Sequence, residues 1–365
     1  MISELGRQHG VVLPVRVDPT GRAGPTWRDV AGPEWRRPVR GRYVESSVPL
    51  TAAQRIAEVG VLLPPRACVT GWGSLSWRDG WWFSGKTSSG AERPIQLAMP
   101  RSLLKVQPAF TVCTERWDHR ELEVVDGLQV ASAVRSVCFE MRYASCLEHA
   151  LAALEMACFH DLVSIDEASS WIDMHPSYTG IEQARQARDL ADENAWSPME
   201  HHLRRCWLPD VRILLCNHPV FDLRGRHIGT PDVIDPRTGV LGEYDGGLHL
   251  QGARRARDIR REHDFRVHGL EPVTMLSEDA FNPGPFKFRL RAAYQRAEQT
   301  PVSERRWTLQ LPDWWVSTFT VEQRRALTES QRRTWLRNRR PPDDSGGPDD
   351  SDGGIVPDLP NTPPA

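Results

Sequence analysis

Apolar and polar positions along this chain follow two periods, and the change from one to the other marks out its elements. Around Ile95-Gln96-Leu97-Ala98-Met99, Thr111-Val112-Cys113-Thr114, Leu122-Glu123-Val124-Val125 and Gly127-Leu128-Gln129-Val130 the apolar runs are short. Runs of that length and alternation put successive side chains on opposite faces, so each predicts a short strand. From Ser132 to Ile172 the spacing becomes helical, with Leu147, Leu151, Leu154 and Cys158 on one face. Asp166-Glu167-Ala168 opens a further helix near Trp171, and the charged run 182–192 also reads as helix.

Local signals sharpen the pattern. Arg36-Arg37-Pro38-Val39-Arg40-Gly41-Arg42-Tyr43-Val44 is a basic, Gly-turned hairpin. Thr51 to Val59 is a helix with Thr51 as N-cap and Gln54 at the capping-box position. Trp72, Trp77, Trp81 and Trp82 follow, and aromatic clusters of this kind build cores. Ser197-Pro198-Met199-Glu200 is a helix start, with Leu203, Cys206, Trp207 and Leu208 on its buried side. Strands are expected over 211–216, 220–223, 228–235 and 240–245. An Arg-rich helix then precedes a last strand over 269–276.

The chain has 365 residues, which suits two domains and a tail. The expected regions are 1–85, 86–181, a connection over 182–193, a domain over 194–298, an Arg/Trp-rich extension over 299–340, and a tail over 341–365. The tail is Pro, Gly, Asp and Ser with few apolar residues and is expected to be disordered. Net charge is −2, but the tail holds six Asp and no Lys or Arg, so 1–340 carries +4. Nearly all the cations are Arg, which suits bidentate phosphate contacts, although a GC-rich genome writes Arg for Lys in any case. No apolar run reaches the ~18 residues of a membrane span, and Met1-Ile2-Ser3-Glu4 lacks a signal-peptide pattern. The seven cysteines form no Cys-x-x-Cys pair and read as reduced thiols in a cytoplasmic protein.

The chemistry concentrates in Thr230-Pro231-Asp232, Glu243-Tyr244-Asp245-Gly246 and His249. Side chains two apart on a strand share a face, so Glu243 and Asp245 can point together toward Asp232 across a hairpin. Such oxygen clusters suit a hard divalent ion, Mg²⁺ or Mn²⁺. Buried carboxylates there imply either a metal or a basic partner. Over about residues 194–282 this order resembles the PD-(D/E)XK nuclease superfamily, and most of all its branch related to very-short-patch-repair endonucleases. The hairpin at 36–44 and the helix after it resemble the N-terminal region of AbiEi-type antitoxin regulators. The helical segment after it is also similar, with Arg135-Ser136 where that family has Arg-Thr.

These resemblances imply an α/β chain. A winged-helix-like and mixed α+β region comes first, followed by a restriction-endonuclease-like mixed sheet flanked by helices. They imply a metal held by Asp232, Glu243 and Asp245, with Glu200 reaching toward it from the first helix and His249 as acid/base or water positioner. The superfamily lysine is Asp245 here, which leaves the base to another group. Arg37, Arg40, Arg42, Arg254, Arg257 and Arg261 are the expected contacts to double-stranded DNA. Two function classes follow: a Mg²⁺-dependent endonuclease, or a non-catalytic DNA-binding regulator that keeps a nuclease fold. A plain interaction protein with the tail as its handle is the third. Pairing of the Arg residues with Asp258, Glu262 and Asp264, and simple helix capping by Glu200, are the structural alternatives.

Overall fold

The computed structural model describes residues 5–87, 89–116, 118–207, 211, 213–245 and 253–337. The chain divides into two compact units, Met1–Ala191 and Asp192–Ala365.

In the first unit the basic hairpin forms from β1 (Trp35–Val39) and β2 (Arg42–Glu45). Arg36 turns inward and makes a two-pronged pair with Glu58, at 2.9 and 2.5 Å. Helix α1 (Ala52–Gly60) starts where Thr51 accepts the Gln54 N–H. The capping box is only half made. The Gln54 amide is buried and pairs instead with both the N–H and the C=O of Val12.

Strands β3 (Cys68–Thr70), β4 (Ile95–Ala98), β5 (Phe110–Cys113), β6 (Leu122–Val125) and β7 (Leu128–Ala131) form one mixed sheet in the order β5-β4-β3-β7-β6. β3 lies at its centre, antiparallel to β4 and parallel to β7, so residues on both sides of position 85 share a sheet. The helices are α2 (Gly71–Ser76), α3 (Ala133–Tyr143), α4 (Leu147–Phe159), α5 (Ile165–Met174) and α6 (Ile181–Leu190). The helical period over 132–172 thus resolves into three helices, and α5 begins with a complete Ser164/Glu167 capping box. α6 packs against α4, so the charged run belongs to this unit's fold. Trp72 and Trp77 are core, whereas Trp81 is 36% exposed.

The second unit begins with α7 (Pro198–Cys206). A sheet of β8 (Leu215–Cys216), β11 (Val233–Ile234), β12 (Val240–Asp245) and β13 (Glu271–Leu276) follows in the order β13-β12-β11-β8. β12 runs antiparallel to β11 and parallel to β13, the crossover being α8 (Ala253–Val267). A smaller sheet joins β9 (Val220–Asp222), β10 (His227–Gly229) and β14 (Trp307–Thr308). Helices α9 (Gly284–Gln299), α10 (Val321–Arg325) and α11 (Glu329–Arg337) complete the unit.

The run 228–235, expected as one strand, is two strands in different sheets. Pro231 has no N–H to offer a ladder, so pairing stops at Gly229 and resumes at Val233. Among the described residues the strand expected over 211–216 pairs at Leu215–Cys216, opposite Ile234 and Val233, where the partner strand β11 itself ends at Ile234. Alternation along β11 and β12 sorts the core. Val233 and Val240 pack with Leu203, Trp207, Phe286 and Leu290 of α7 and α9. Ile234 and Leu241 face the other way, toward Phe265 of α8 and Trp307. Gly242 lies between Leu241 and Glu243 because a Cβ there would fall 2.7 Å from the Trp207 ring.

The extension over 299–340 is part of this unit. β14 pairs with β9, and Trp335 is 1% exposed with its ring edge-on to Trp196. The acidic tail lies outside the described residues.

Candidate functional site

Val233 lies opposite Gly242 and Ile234 opposite Leu241, so the same register brings Asp232 opposite Glu243. Directly opposed residues of an antiparallel pair share a face. That face is the one bearing Ile234 and Leu241, and α8 covers it. The Tyr244 N–H donates to Oδ2 of Asp232 at 2.7 Å. Burial pushes the Asp232 carboxyl up, opposed by the Tyr244 N–H and by the charge of Arg261.

Glu243 forms an ion pair with Arg261 of α8. The same guanidinium donates to the Thr230 carbonyl at 3.0 Å and lies 5.7 Å from the centroid of the Phe265 ring. Arg261 is thus a basic partner for Glu243, one of the two counter-charges the sequence allows for a buried carboxylate here. The Arg261 arm is held at three points, and it ties α8 to the chain just ahead of Asp232.

Asp245 ends β12, half-buried, two residues beyond Glu243. Among the described residues no three His, Cys, Asp or Glu side chains form a group that could hold a metal. His249 lies outside the described residues, as do the side chains of Arg254 and Arg257.

Glu200 is 3% exposed on the first turn of α7. Its Oε2 accepts the Trp196 N–H at 3.0 Å and the Asn217 side-chain amide at 2.6 Å. The expected cap is therefore altered. Ser197 makes no side-chain cap bond, and Glu200 reaches one residue further back. Asn217 in turn binds the Asn194 carbonyl, and its own N–H donates to the Asp232 carbonyl at 3.0 Å. Glu200 thus supports the chain at Asp232 through a buried amide network.

Sequence alone passes over His227. Its Nε2 lies 3.0 Å from the Thr230 hydroxyl, and Trp315 from the extension lies over its ring with centroids 5.2 Å apart. The signal available was its place three residues ahead of Thr230-Pro231-Asp232. Burial, then the Arg261 charge, lowers its pKa from 6.5 to about 4. Between those values the unfolded chain binds a proton that the folded chain refuses, so stability falls as pH drops through this window. The loss amounts to as much as ~3 kcal/mol. Urea unfolding from pH 7 to pH 4 is expected to steepen in this window for the native chain and to flatten for His227→Gln; equal slopes would remove the assignment.

In the first unit Arg37 and Arg40 are exposed on the hairpin, and Arg42 is half-buried. Burial, then the charge of Arg16, pulls the Arg42 guanidinium down. The hairpin therefore concentrates positive charge, with Arg36 alone turned inward to Glu58.

All seven cysteines are free thiols. Among the described residues no helix is long and apolar enough to cross a membrane. No family model, curated protein or solved structure matches the chain.

Proposed function

We propose that the second unit is a divalent-metal-dependent endonuclease acting on duplex DNA, with the basic hairpin of the first unit as a further DNA contact. The observation that carries this reading is the pairing register that sets Asp232 and Glu243 opposite each other, on the face covered by Arg261 of α8. Mg²⁺ keeps several waters and needs only one or two carboxylates, so this pair fits it. Asp232 and Glu243 would hold the ion, with Asp245 adding negative charge at the strand end. A bound Mg²⁺ or Mn²⁺ supplies charge stabilisation on the phosphoryl oxygens and an activated water. Arg261, beside this pair, would orient a phosphate oxygen of the substrate. His249 is the group the sequence offers for proton transfer in place of the missing lysine.

A second reading, a non-catalytic DNA-binding regulator, is favoured by one observation: Glu243 is ion-paired with Arg261 of α8. The native chain, incubated with supercoiled plasmid and with linear duplex in Mg²⁺ or Mn²⁺, is expected to nick or cut both, and EDTA to stop it. Tight duplex binding with no strand breakage in either metal would replace the nuclease with the regulator.

A further inference from the structure

An open concavity of about 510 Å³ lies at the turn between β9 and β10, lined by Asp222, Leu223, Arg224, Arg226, His268 and Arg306. Its one carboxylate is already occupied. Asp222 Oδ1 accepts the N–H groups of Arg224 and Arg226, both at 2.9 Å, and Oδ2 accepts from Arg226 Nε at 3.2 Å. Burial would raise this carboxyl, but the N–H groups of Arg226 and Arg224 and the Arg226 guanidinium hold it below the usual range. Asp222 therefore shapes the turn and fixes Arg226 without cancelling the charge of the other two arginines. Arg224 and Arg306 are exposed, and neither side chain has an acidic partner among the described residues.

The floor is set by fixed backbone. Gly225 turns at φ 80° over Pro312, and the Arg306 N–H donates to the His268 carbonyl. His268 Nδ1 donates to the Asp264 carbonyl at 2.6 Å, which leaves Nε2 as its remaining polar edge. The lining offers several cationic donors and no Phe, Tyr, Trp or side-chain amide, so positive charge dominates it and a phosphate is the group it suits. It is open, which suits a continuous polyanion more than an enclosed nucleotide.

We infer that this concavity seats the phosphodiester backbone of the same duplex that the second unit is proposed to cut, and so the inference rests on that reading. His268 follows α8 seven residues after Arg261, about 10 Å along the helix, which is about three base-pair steps of one DNA strand. A strand lying along α8 would then meet Arg261 at the reacting phosphate and Arg224 and Arg306 a few nucleotides away.

The test is binding of a labelled duplex to the full chain in EDTA across a salt series, which separates binding from cleavage. Removing one arginine–phosphate ion pair lowers the slope of log K against log salt by about 0.9. The Arg224→Ala/Arg306→Ala double variant is expected to remove roughly two such ion pairs and to bind at least about tenfold more weakly at low salt. Arg224→Lys/Arg306→Lys should restore most of the slope, which a general failure of folding would not allow. An unchanged slope in a folded alanine variant overturns the inference, as does a native chain that binds no duplex. A reduced slope in a chain that never cuts DNA leaves the backbone seat standing and removes only the nuclease. Normal cutting with an unchanged slope does the reverse.

Discussion

Glu243→Ala is expected to lower duplex cleavage by at least about a thousandfold, and Asp232→Ala by a similar factor. Metal-held charge stabilisation is worth several kcal/mol in the transition state, and each ~1.4 kcal/mol is a factor of ten. These carboxylates also have structural partners, and the two contributions must be told apart. Glu243→Ala leaves Arg261 half-buried without its ion-pair partner. We expect that to cost on the order of 1–2 kcal/mol, well short of unfolding the unit. Asp232→Ala removes the acceptor for the Tyr244 N–H, so Asp232→Asn is the better control. The amide keeps an oxygen for Tyr244 and removes the charge a metal needs. Single-turnover cleavage in Mg²⁺, run well below each variant's unfolding temperature, should find Asp232→Asn as impaired as Asp232→Ala. The double Asp232→Ala/Glu243→Ala variant should be barely worse than either alone, because the two residues act as one site. Cleavage that survives both single changes would reject this pair as the metal-holding group.

The sequence made the hairpin around this pair readable because three local signals agree there. Val240-Leu241 is an apolar pair leading into Glu243-Tyr244-Asp245, Asp235-Pro236-Arg237-Thr238-Gly239 is rich in turn formers, and Pro231 precedes the acidic residue. Strand existence was legible wherever such signals agreed, as at β4, β6, β12 and β13. Three features were not legible, for one reason: each is decided by a partner distant in sequence. The switch of β10 and β11 into different sheets depends on β9 and β14 pairing at one side and β8 at the other. The counter-charge at Glu243 comes from α8, eighteen positions on, where the sequence marks Arg257 and Arg261 alike as phosphate contacts and does not say which meets the carboxylate. Glu200 satisfies the pattern of a cap, yet its carboxylate also accepts from the Asn217 amide, which the turn after β8 delivers. The Arg/Trp-rich extension gave no periodic signal at all. Its fold is set by Trp307, Trp315 and Trp335 finding apolar partners in the second unit.

Asp235→Ala is expected to destabilise the second unit by about 3–4 kcal/mol, the largest stability effect anticipated for a single polar residue here. Asp235 is 2% exposed at the end of β11. Its Oδ1 accepts the Arg237 N–H at 2.8 Å, and its Oδ2 accepts the Thr238 hydroxyl at 2.9 Å and the Tyr294 hydroxyl at 3.0 Å. Tyr294 in turn accepts from Trp207 Nε1 at 2.8 Å. One carboxylate therefore links the β11–β12 turn to α9 and to the end of α7, and burial, with the charge of Asp235 and the bond donated to it, drives the Tyr294 hydroxyl pKa upward. Alanine would leave the Arg237 N–H and the Thr238 and Tyr294 hydroxyls, all partly buried, without this acceptor, each carrying part of its desolvation cost. At about 2–4 °C per kcal/mol for a unit of this size, the expected fall in unfolding temperature is roughly 10 °C. A double-mutant cycle with Tyr294→Phe should return a coupling of at least about 1 kcal/mol, since the two side chains bond directly. The same turn fixes the register that sets Asp232 opposite Glu243. Cleavage measured below the lowered unfolding temperature should therefore fall as well, although Asp235 touches neither of them. A cost below about 1 kcal/mol, with unaltered cleavage, would mean that the register is held elsewhere, by the Trp207 and Val233 packing against Gly242.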